Sequence, residues 1–384
     1  GGLPLVAERI QISQPATGEE EWLALREPLE TGWLTSGPKV SELERRFAER
    51  TGVSDALATT SCTTALHLIL VALGVGPGDE VIVPAFTWVS TANVVLYCGA
   101  TPVFVDVERE SFNLDPAQVQ AAVTPNTKAV IAVHLFGLCA DIAALEAAAP
   151  GIPIVEDAAC AVGARYQGRA AGALGVAGAF SLHPRKILTA GEGGLITTAD
   201  PELAEAMRSL RNHGASVSEE QRHAGPRPYL LAEFNLLGFN YRMTDLQGAV
   251  ACVQLDKLDG LLAERRERAA FYERELAGIE WLRTPSAPEG YEHGWQAYVC
   301  YVDPARAPRP RNELMDELLQ AGVSTRPGTH AVHALGLYRE RLGTKPEDFP
   351  VAWDCDQQTL AIPLHNRMSD EDYERVVWAL RALK

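Results

Sequence analysis

Residues 80–106, EVIVPAFTWVSTANVVLYCGATPVFVD, contain the pattern that decides the fold. The β-branched runs Glu80–Pro84 and Thr101–Asp106 have the composition of buried strands, and the stretch Ser90–Cys98 between them has that of a helix. A strand, a helix and a second strand in this order are typical of a βα unit wound onto a largely parallel sheet. The stretch therefore predicts an α/β fold.

The same alternation continues on both sides of this unit. Leu66, Ile69, Leu70 and Leu73 follow the spacing of one helix face. Two further helices are predicted at Pro116–Val123 and Ile142–Ala149. Five more strands, which complete a mostly parallel seven-stranded sheet flanked by helices, are predicted at Ala56–Thr60, Lys128–His134, Ile152–Asp157, Ala177–Leu182 and Gly194–Thr198.

The C-terminal third has a different organisation. A long charged amphipathic helix over residues 256–278 is the expected hinge, and residues 215–237 form an irregular excursion that we interpret as a lid or a dimer arm. We expect a large domain over residues 1–250, whose N-terminal segment reaches the small domain, and a small α+β domain over residues 251–384. Its predicted elements are a strand Gln296–Val302, a helix Asn312–Ala321, a strand Val323–Arg326 and a helix Ser369–Leu383.

Composition excludes several classes of protein. The 384 residues are 47% hydrophobic and 22% charged, which argues against disorder and coiled coil. A formal net charge of −16 argues against binding to nucleic acid or to an anionic membrane surface. The seven cysteines are scattered without CxxC pairs, and no cluster has metal-ligand spacing. We therefore expect a cytoplasmic protein without a disulfide framework, a metal site or a membrane span.

One of the six lysines has a context suited to chemistry. Lys186 lies in FSLHPRKILTAGEGGLITT, residues 180–198, in a turn after one strand and before a Gly-rich bend. A lysine that forms a Schiff base with pyridoxal phosphate needs an acid for the pyridine nitrogen, a phosphate cradle and a flat group against the ring. Asp157, at the carboxyl edge of the strand IPIVED, is a candidate for the acid. An alternative role for Asp157 is a helix N-cap.

Two further segments supply candidates for the cradle and the flat group. Ser61-Cys62-Thr63-Thr64 lies between a strand and a helix, so its N–H groups and hydroxyls would point at an anion at the helix N-terminus. Trp88 follows the next strand at the same edge of the sheet. Plain helix capping by Ser61 and burial of Trp88 in the core are the alternatives that remain open.

These segments together resemble the DegT/StrS family of sugar aminotransferases, which are fold-type I pyridoxal-phosphate enzymes. The motifs that carry the resemblance run along the whole chain: GWLTSGPKVSELERRFAE (32–49), SCTTALHLIL (61–70), VPAFTWVSTANVVLYCGATPVFVDV (83–107), VEDAACAVGA (155–164), FSLHPRKILTAGEGGLITT (180–198) and GFNYRMTDLQGAV (238–250).

The resemblance implies a role for each matched residue. Lys186 would form the Schiff base and act as general acid and base, with Asp157 on the pyridine nitrogen and Trp88 on the ring. The phosphate would be held by Thr63, Ser181 and the backbone at Cys62 and Thr64, and across a homodimer interface by Asn240. Two positions depart from the family: Cys62 stands where Gly is usual, and Cys160 stands where Gln or His commonly faces the ring or its 3-oxygen.

Substrate residues are less well defined. Arg326, His330 and His333, in VSTRPGTHAVHALGLY, belong to the small domain, where such enzymes lay a loop over the substrate. His134, His183 and His213 are left open between structural and functional roles. Arg211, Arg242 and Arg326 are candidates for binding a nucleotide diphosphate.

The expected reaction is a ping-pong transfer of an amino group from L-glutamate or L-glutamine to a keto-sugar, with the sugar linked to a nucleotide. An aminocyclitol ketone or a small aldehyde is an alternative acceptor. A cofactor-dependent sugar dehydratase is disfavoured, because such relatives replace the lysine by His. A catalytically silent relative is disfavoured by the complete set of Lys186, Asp157, Trp88 and the phosphate loop.

Overall fold

The computed structural model describes residues 9–216 and 231–383, and its centre is the predicted seven-stranded sheet. The strands in chain order are β1 Asp55–Thr59, β2 Glu80–Pro84, β3 Phe86–Thr87, β4 Thr101–Val105, β5 Thr127–Val133, β6 Ile154–Asp157, β7 Arg165–Tyr166, β8 Arg169–Ala170, β9 Ala177–Ser181, β10 Gly194–Thr198, β11 Leu282–Arg283, β12 Tyr291–Glu292, β13 Tyr298–Val302, β14 His330–Ala331 and β15 Thr359–Ile362. The central sheet has the order β1-β10-β9-β6-β5-β2-β4, and β10 is antiparallel to both of its neighbours. The remaining pairs are parallel, so the predicted α/β class is confirmed.

The structure contains the following helices among its described residues, and those between β1 and β10 alternate with the strands of the central sheet. They are α1 Glu19–Ala24, α2 Arg26–Thr31, α3 Pro38–Thr51, α4 Cys62–Ala72, α5 Ser90–Tyr97, α6 Pro116–Ala122, α7 Ile142–Ala148, α8 Pro201–Leu210, α9 Asp245–Leu276, α10 Arg311–Gln320, α11 Gly336–Leu342, α12 Pro350–Gln358 and α13 Asp370–Ala382. Short 3₁₀ turns lie at Leu135–Gly137, Val332–Ala334 and Pro346–Asp348.

Both faces of the central sheet are buried. Helices α4, α5 and α8 cover one face, and α3, α6, α7 and the first half of α9 cover the other. Because β5 is enclosed between two hydrophobic cores, its residues 129–133 are all buried. Burial on both sides explains why the strands are continuous apolar runs without alternation.

Helix α9 begins earlier than predicted, at Asp245 and not at residue 256. Thr244 caps it, accepting from the Gln247 N–H, and Asp245 also accepts from Gly37 N at 2.9 Å and Val40 N at 3.0 Å. The first turns are buried against α3 and carry few charges. They therefore lack the charged amphipathic pattern that predicts the rest of the helix.

The small domain is built on the antiparallel sheet β11-β13-β15. Helices α10 and α13 and the second half of α9 share its hydrophobic core. The predicted strand Val323–Arg326 is wrong. Val323 bridges to Ile10 and Arg326 bridges to Ala361, so the segment does not form a continuous ladder of hydrogen bonds with one neighbouring strand. The division at residues 250 and 251 lies inside α9, and it stays a proposal.

The N-terminal segment lies against the small domain. Gln11 O lies 3.0 Å from His365 Nε2, and Ile10 N donates to Gly322 O at 2.9 Å. Of the excursion predicted at 215–237, residues 217–230 lie outside the described residues. No helix among the described residues is long and apolar enough to span a membrane.

Candidate active site

The carboxyl ends of the parallel strands bring the predicted site residues to one edge of the sheet. Asp157 ends β6, Ser181 ends β9, and Trp88 directly follows β3. The phosphate-loop candidates begin two residues after β1. Open parallel sheets bind ligands at this edge, where side chains from separate loops converge.

The Ser61–Thr64 turn leaves donors free at the start of α4. Ser61 Oγ accepts from Thr64 N at 3.1 Å, and Thr64 Oγ1 accepts from Ser61 N at 3.0 Å. This reciprocal capping occupies the hydroxyls of Ser61 and Thr64. Within the described residues, the N–H groups of Cys62 and Thr63 donate to no protein acceptor. Capping and anion binding are therefore compatible here, since they use different donors.

Asp157 is a buried carboxylate with neutral hydrogen-bond donors. It is 4% exposed and accepts from Thr91 Oγ1 at 2.8 Å and from Ala159 N at 3.2 Å. Burial raises the pKa of Asp157, and the Thr91 and Ala159 bonds and the charge of Lys186 oppose that rise. Residues 158–164 form turns and no helix, so the N-cap alternative does not apply. A cationic N–H brought to this carboxylate would keep it ionised.

Lys186 lies beside Cys160, close to Asp157. Its Nζ is 3.0 Å from Cys160 Sγ, and its charge acts on Asp157. Cys62 Sγ lies 4.0 Å from Asp157 Oδ1, so both departures from the family motif belong to this one cluster. Other lysines lie elsewhere in ion pairs: Lys39 with Glu27, and Lys257 with Glu21.

Trp88 lies at the mouth of the site and contacts the small domain. Its side chain is 58% exposed, and its ring meets that of His330 edge to face at 5.5 Å. Strand β14 pairs with β3, with His330 opposite Thr87. Trp88 is thus not a core tryptophan, and His330 is placed next to it.

Arg326 supplies an unpaired positive charge near the cluster. Its Nε is buried, and its guanidinium has no hydrogen-bond acceptor among the described residues. Burial and then the nearby charge of Arg185 lower its pKa, while Cys160 acts in the opposite direction. The Arg326 guanidinium near Cys160, with that of Arg185 close to Arg326, makes this side of the site suited to an anion.

Two candidate histidines do not face the site. His333 is fully buried, with its ring 4.8 Å from that of Phe349 and its Nε2 3.2 Å from Pro346 O. His134 is also fully buried, and it donates to Glu156 at 2.8 Å and accepts from Ala140 N. Full burial leaves neither ring open to substrate, although the buried Nδ1 of His333 has no hydrogen-bond partner among the described residues.

The remaining candidates surround the phosphate loop or the lysine turn. Asn240 is exposed and bridges to Asn212, and the next residue, Tyr241, accepts from Thr60 N at 3.0 Å. Ser181 Oγ and His183 Nδ1 accept backbone N–H groups within the lysine turn. His213 adopts a φ of 60° in a turn and donates its N–H to Phe239 O.

Sequence reasoning missed Thr91 and Gly194. Thr91 is the hydroxyl donor to Asp157, and its place as the second residue of α5 gives no signal beyond the nearby Trp88 motif. Gly194 begins β10 directly against the phosphate loop, where a Cβ would lie 2.4 Å from Ser61 C and 2.6 Å from Cys62 N. A residue with a side chain there would push the loop away, which explains the glycine.

Comparison with known proteins agrees with this geometry. The model of the DegT/DnrJ/EryC1/StrS aminotransferase family matches residues 15–381. The chain belongs to this family.

Solved structures support the assignment over the whole length of the chain. The putative sugar aminotransferase Spr1654 from Streptococcus pneumoniae in its PMP form is 29% identical, with a TM-score of 0.91 over 97% of this chain and 98% of that chain. The aminotransferase TlmJ from Streptoalloteichus hindustanus is 34% identical, with a TM-score of 0.88 over 97% and 98%. DesV from S. venezuelae, solved with a ketimine intermediate, is 33% identical, with a TM-score of 0.86 over 98% of both chains.

Pyridoxal phosphate is the cofactor of the DegT/DnrJ/EryC1/StrS family, and the protein is a transaminase of fold-type I. The residues present fit that cofactor. The free N–H groups of Cys62 and Thr63 suit its phosphate, and the buried carboxylate of Asp157 suits its protonated ring nitrogen.

We predict that Gly194→Ala weakens cofactor binding about 100-fold, because the new Cβ displaces the backbone of the phosphate loop. Titration of the cofactor into the apo-protein measures the dissociation constant. Gly260→Ala is the matched control, since nothing lies within 4 Å of its Cβ. Equal affinity in the two variants would show that the loop does not hold the phosphate.

Proposed function

We propose that the protein transfers an amino group from L-glutamate or L-glutamine to a keto-sugar, linked to a nucleotide, in two half-reactions at Lys186. The observation that carries the proposal is the cluster of Lys186, Cys160 and Asp157 beside the open start of α4. The sugar acceptor is supported by the similarity of the chain to the putative sugar aminotransferase Spr1654. An aminocyclitol ketone or a small aldehyde is the second candidate acceptor.

Each residue of the cluster has a separate task. Bound pyridoxal phosphate supplies an aldehyde that accepts nitrogen and a protonated ring that draws electrons from the bond being broken. Lys186 would hold the cofactor through Nζ and would carry the proton between donor and acceptor positions. Asp157, held by Thr91, keeps its negative charge towards the ring nitrogen. Trp88 would stack on the ring, and Cys160 contacts the lysine amine.

The exposed residues at the rim of the site indicate where the acceptor would bind. His330 and Trp88 form the visible rim of the site, and both are exposed enough to meet a sugar. A panel of nucleotide-linked and free keto-sugars, keto-cyclitols and aldehydes, each added to the aminated enzyme, identifies the class through the change in cofactor absorbance. Turnover of aldehydes alone would contradict the sugar assignment.

We predict that borohydride fixes the cofactor on Lys186 and that Lys186→Ala loses turnover by at least about 1000-fold. Mass spectrometry of the reduced, digested protein locates the adduct, and steady-state kinetics measures turnover. Lys128→Ala is the control, because Lys128 is an exposed strand residue. An adduct on another lysine, or turnover that survives in Lys186→Ala, excludes the proposed centre.

We propose that Arg326 binds a carboxylate of the amino donor, because its buried Nε has no hydrogen-bond partner among the described residues and Cys160, which contacts Lys186, is near enough to act on its charge. Arg326→Gln is expected to raise the KM for glutamate about 100-fold, since a charge-assisted bond is lost. The acceptor KM should change far less. Arg339→Gln, at an exposed position on α11, serves as control. A donor KM that stays at the wild-type value contradicts this role.

We further propose a homodimer in which Asn240 completes the phosphate site of the other subunit. Asn240 is exposed, and Leu231, Phe234, Leu236 and Leu237 expose between 47% and 92% of their side chains nearby. An apolar surface of this kind is typical of a protein interface. A stacked pair, Phe239 and Tyr241 with ring centroids 4.9 Å apart, flanks Asn240.

The dimer predicts complementation between two inactive variants. Lys186→Ala and Asn240→Ala chains, each first shown to be severely impaired, are mixed under conditions that exchange subunits. Random pairing of equal amounts makes about half of the dimers hybrids, and each hybrid contains one intact site out of two. The mixture is therefore expected to recover about a quarter of the wild-type activity. Exchanged hybrids that stay inactive, or an active species that sediments as a monomer, exclude shared sites.

A further inference from the structure

The turn that carries Lys186 is held by a side chain from a distant part of the chain. Gln296 lies just before β13, and its Oε1 accepts from Ile187 N at 3.1 Å. Its Nε2 donates to Arg185 O at 2.6 Å. One amide group therefore bonds the backbone on both sides of Lys186.

These two hydrogen bonds fix the backbone of Lys186, which its own flexible side chain cannot do. Lysine has a flexible four-carbon stem, so the position of its amine depends on where its Cα is held. Within the turn, Lys186 N donates to His183 O at 2.8 Å, and this bond secures only the preceding side. Gln296 secures the following residue, Ile187, and closes the turn around the lysine.

Gln296 is itself held by a buried arginine of the long helix α9. Arg265 Nη1 donates to Trp295 O at 3.0 Å and to Gln296 O at 3.3 Å. It also donates to Leu364 O and, through Nε, to Asn366 Oδ1. These acceptors are neutral, and burial lowers the pKa of Arg265 to about 10, which leaves it charged at neutral pH. A buried charge satisfied by several carbonyls holds its segment firmly.

We propose that Gln296 is a positioning residue that fixes the backbone of Lys186 and links it to helix α9. The inference rests on the proposed role of Lys186. It assigns to Gln296 no contact with substrate or cofactor; its effect is exerted through the place of the lysine amine. Because residues of α9 pack in two separate hydrophobic cores, Arg265 and Gln296 connect the turn of Lys186 to a helix that both cores share.

The test compares Gln296→Ala and Gln296→Glu with the control Gln118→Ala, whose side chain is exposed on α6. The first readout is hydrogen exchange of the Ile187 amide in the full chain. Loss of its acceptor is expected to speed exchange about 10- to 100-fold in Gln296→Ala. Gln296→Glu keeps an acceptor for Ile187 N and loses the donor to Arg185 O, so a smaller increase is expected.

The second readout is the pH titration of the cofactor absorbance in the holoenzyme. A displaced amine should shift the midpoint of that titration and lower kcat about 10- to 100-fold, with the donor KM within about twofold. The control should match wild type in every measurement. Unchanged Ile187 exchange together with an unchanged titration midpoint and kcat, in whichever Gln296 variant folds, would overturn the inference.

Failure of this inference is distinct from failure of the proposed function. If borohydride does not fix the cofactor on Lys186 in the wild type, the proposed centre is wrong, whatever Ile187 exchange shows. If the adduct forms on Lys186 and the Gln296 variants behave as wild type, only the positioning role is wrong.

Discussion

A buried carboxylate without a cation in hydrogen-bond contact is the constraint on which the site depends. Asp157 ends a central strand, and the donors that reach it, Thr91 and the Ala159 N–H, are neutral. Burial raises the pKa of this carboxyl group, and a positive partner nearby favours its charged form together with the hydrogen bonds from Thr91 and Ala159. A protonated pyridine ring is a partner of this kind. The sheet, the phosphate loop and the lysine turn are all arranged around that one position.

Much of this arrangement can be predicted from sequence, because it depends on local patterns. All seven strands of the central sheet were predicted, with ends within two residues of those observed. Continuous apolar runs mark strands buried on both faces, and polar residues at their carboxyl ends mark the ligand edge. Asp157, Lys186 and the Ser61–Thr64 turn follow from this logic.

Contacts between segments that are distant in the chain could not be predicted from the sequence, for a physical reason. Gln296, Thr91 and Gly194 take their importance from neighbours that fold beside them, and none belongs to a residue type that signals chemistry alone. His333 is the converse case, in which the residue type alone suggests a contact with substrate. His333 has the residue type and the neighbourhood of a substrate ligand, but its ring packs beside Phe349 in the core. Arg326, in the same segment, keeps its charge unpaired and near the lysine cluster.

The small domain therefore takes part in the site at three places. His330 lies against Trp88, Arg326 lies near Cys160, and Gln296 holds the turn of Lys186. All three follow helix α9 in the chain, and their positions relative to Asp157 are set by the way the small domain packs on the sheet. Arg326 and Gln296 both follow α9, so a carboxylate bound by Arg326 would contact the same part of the chain that supports the turn of Lys186. Arg326 bridges to Ala361 of β15, β15 pairs with β13, and Gln296 lies just before β13, so a donor bound at Arg326 would be linked through this sheet to the turn of Lys186.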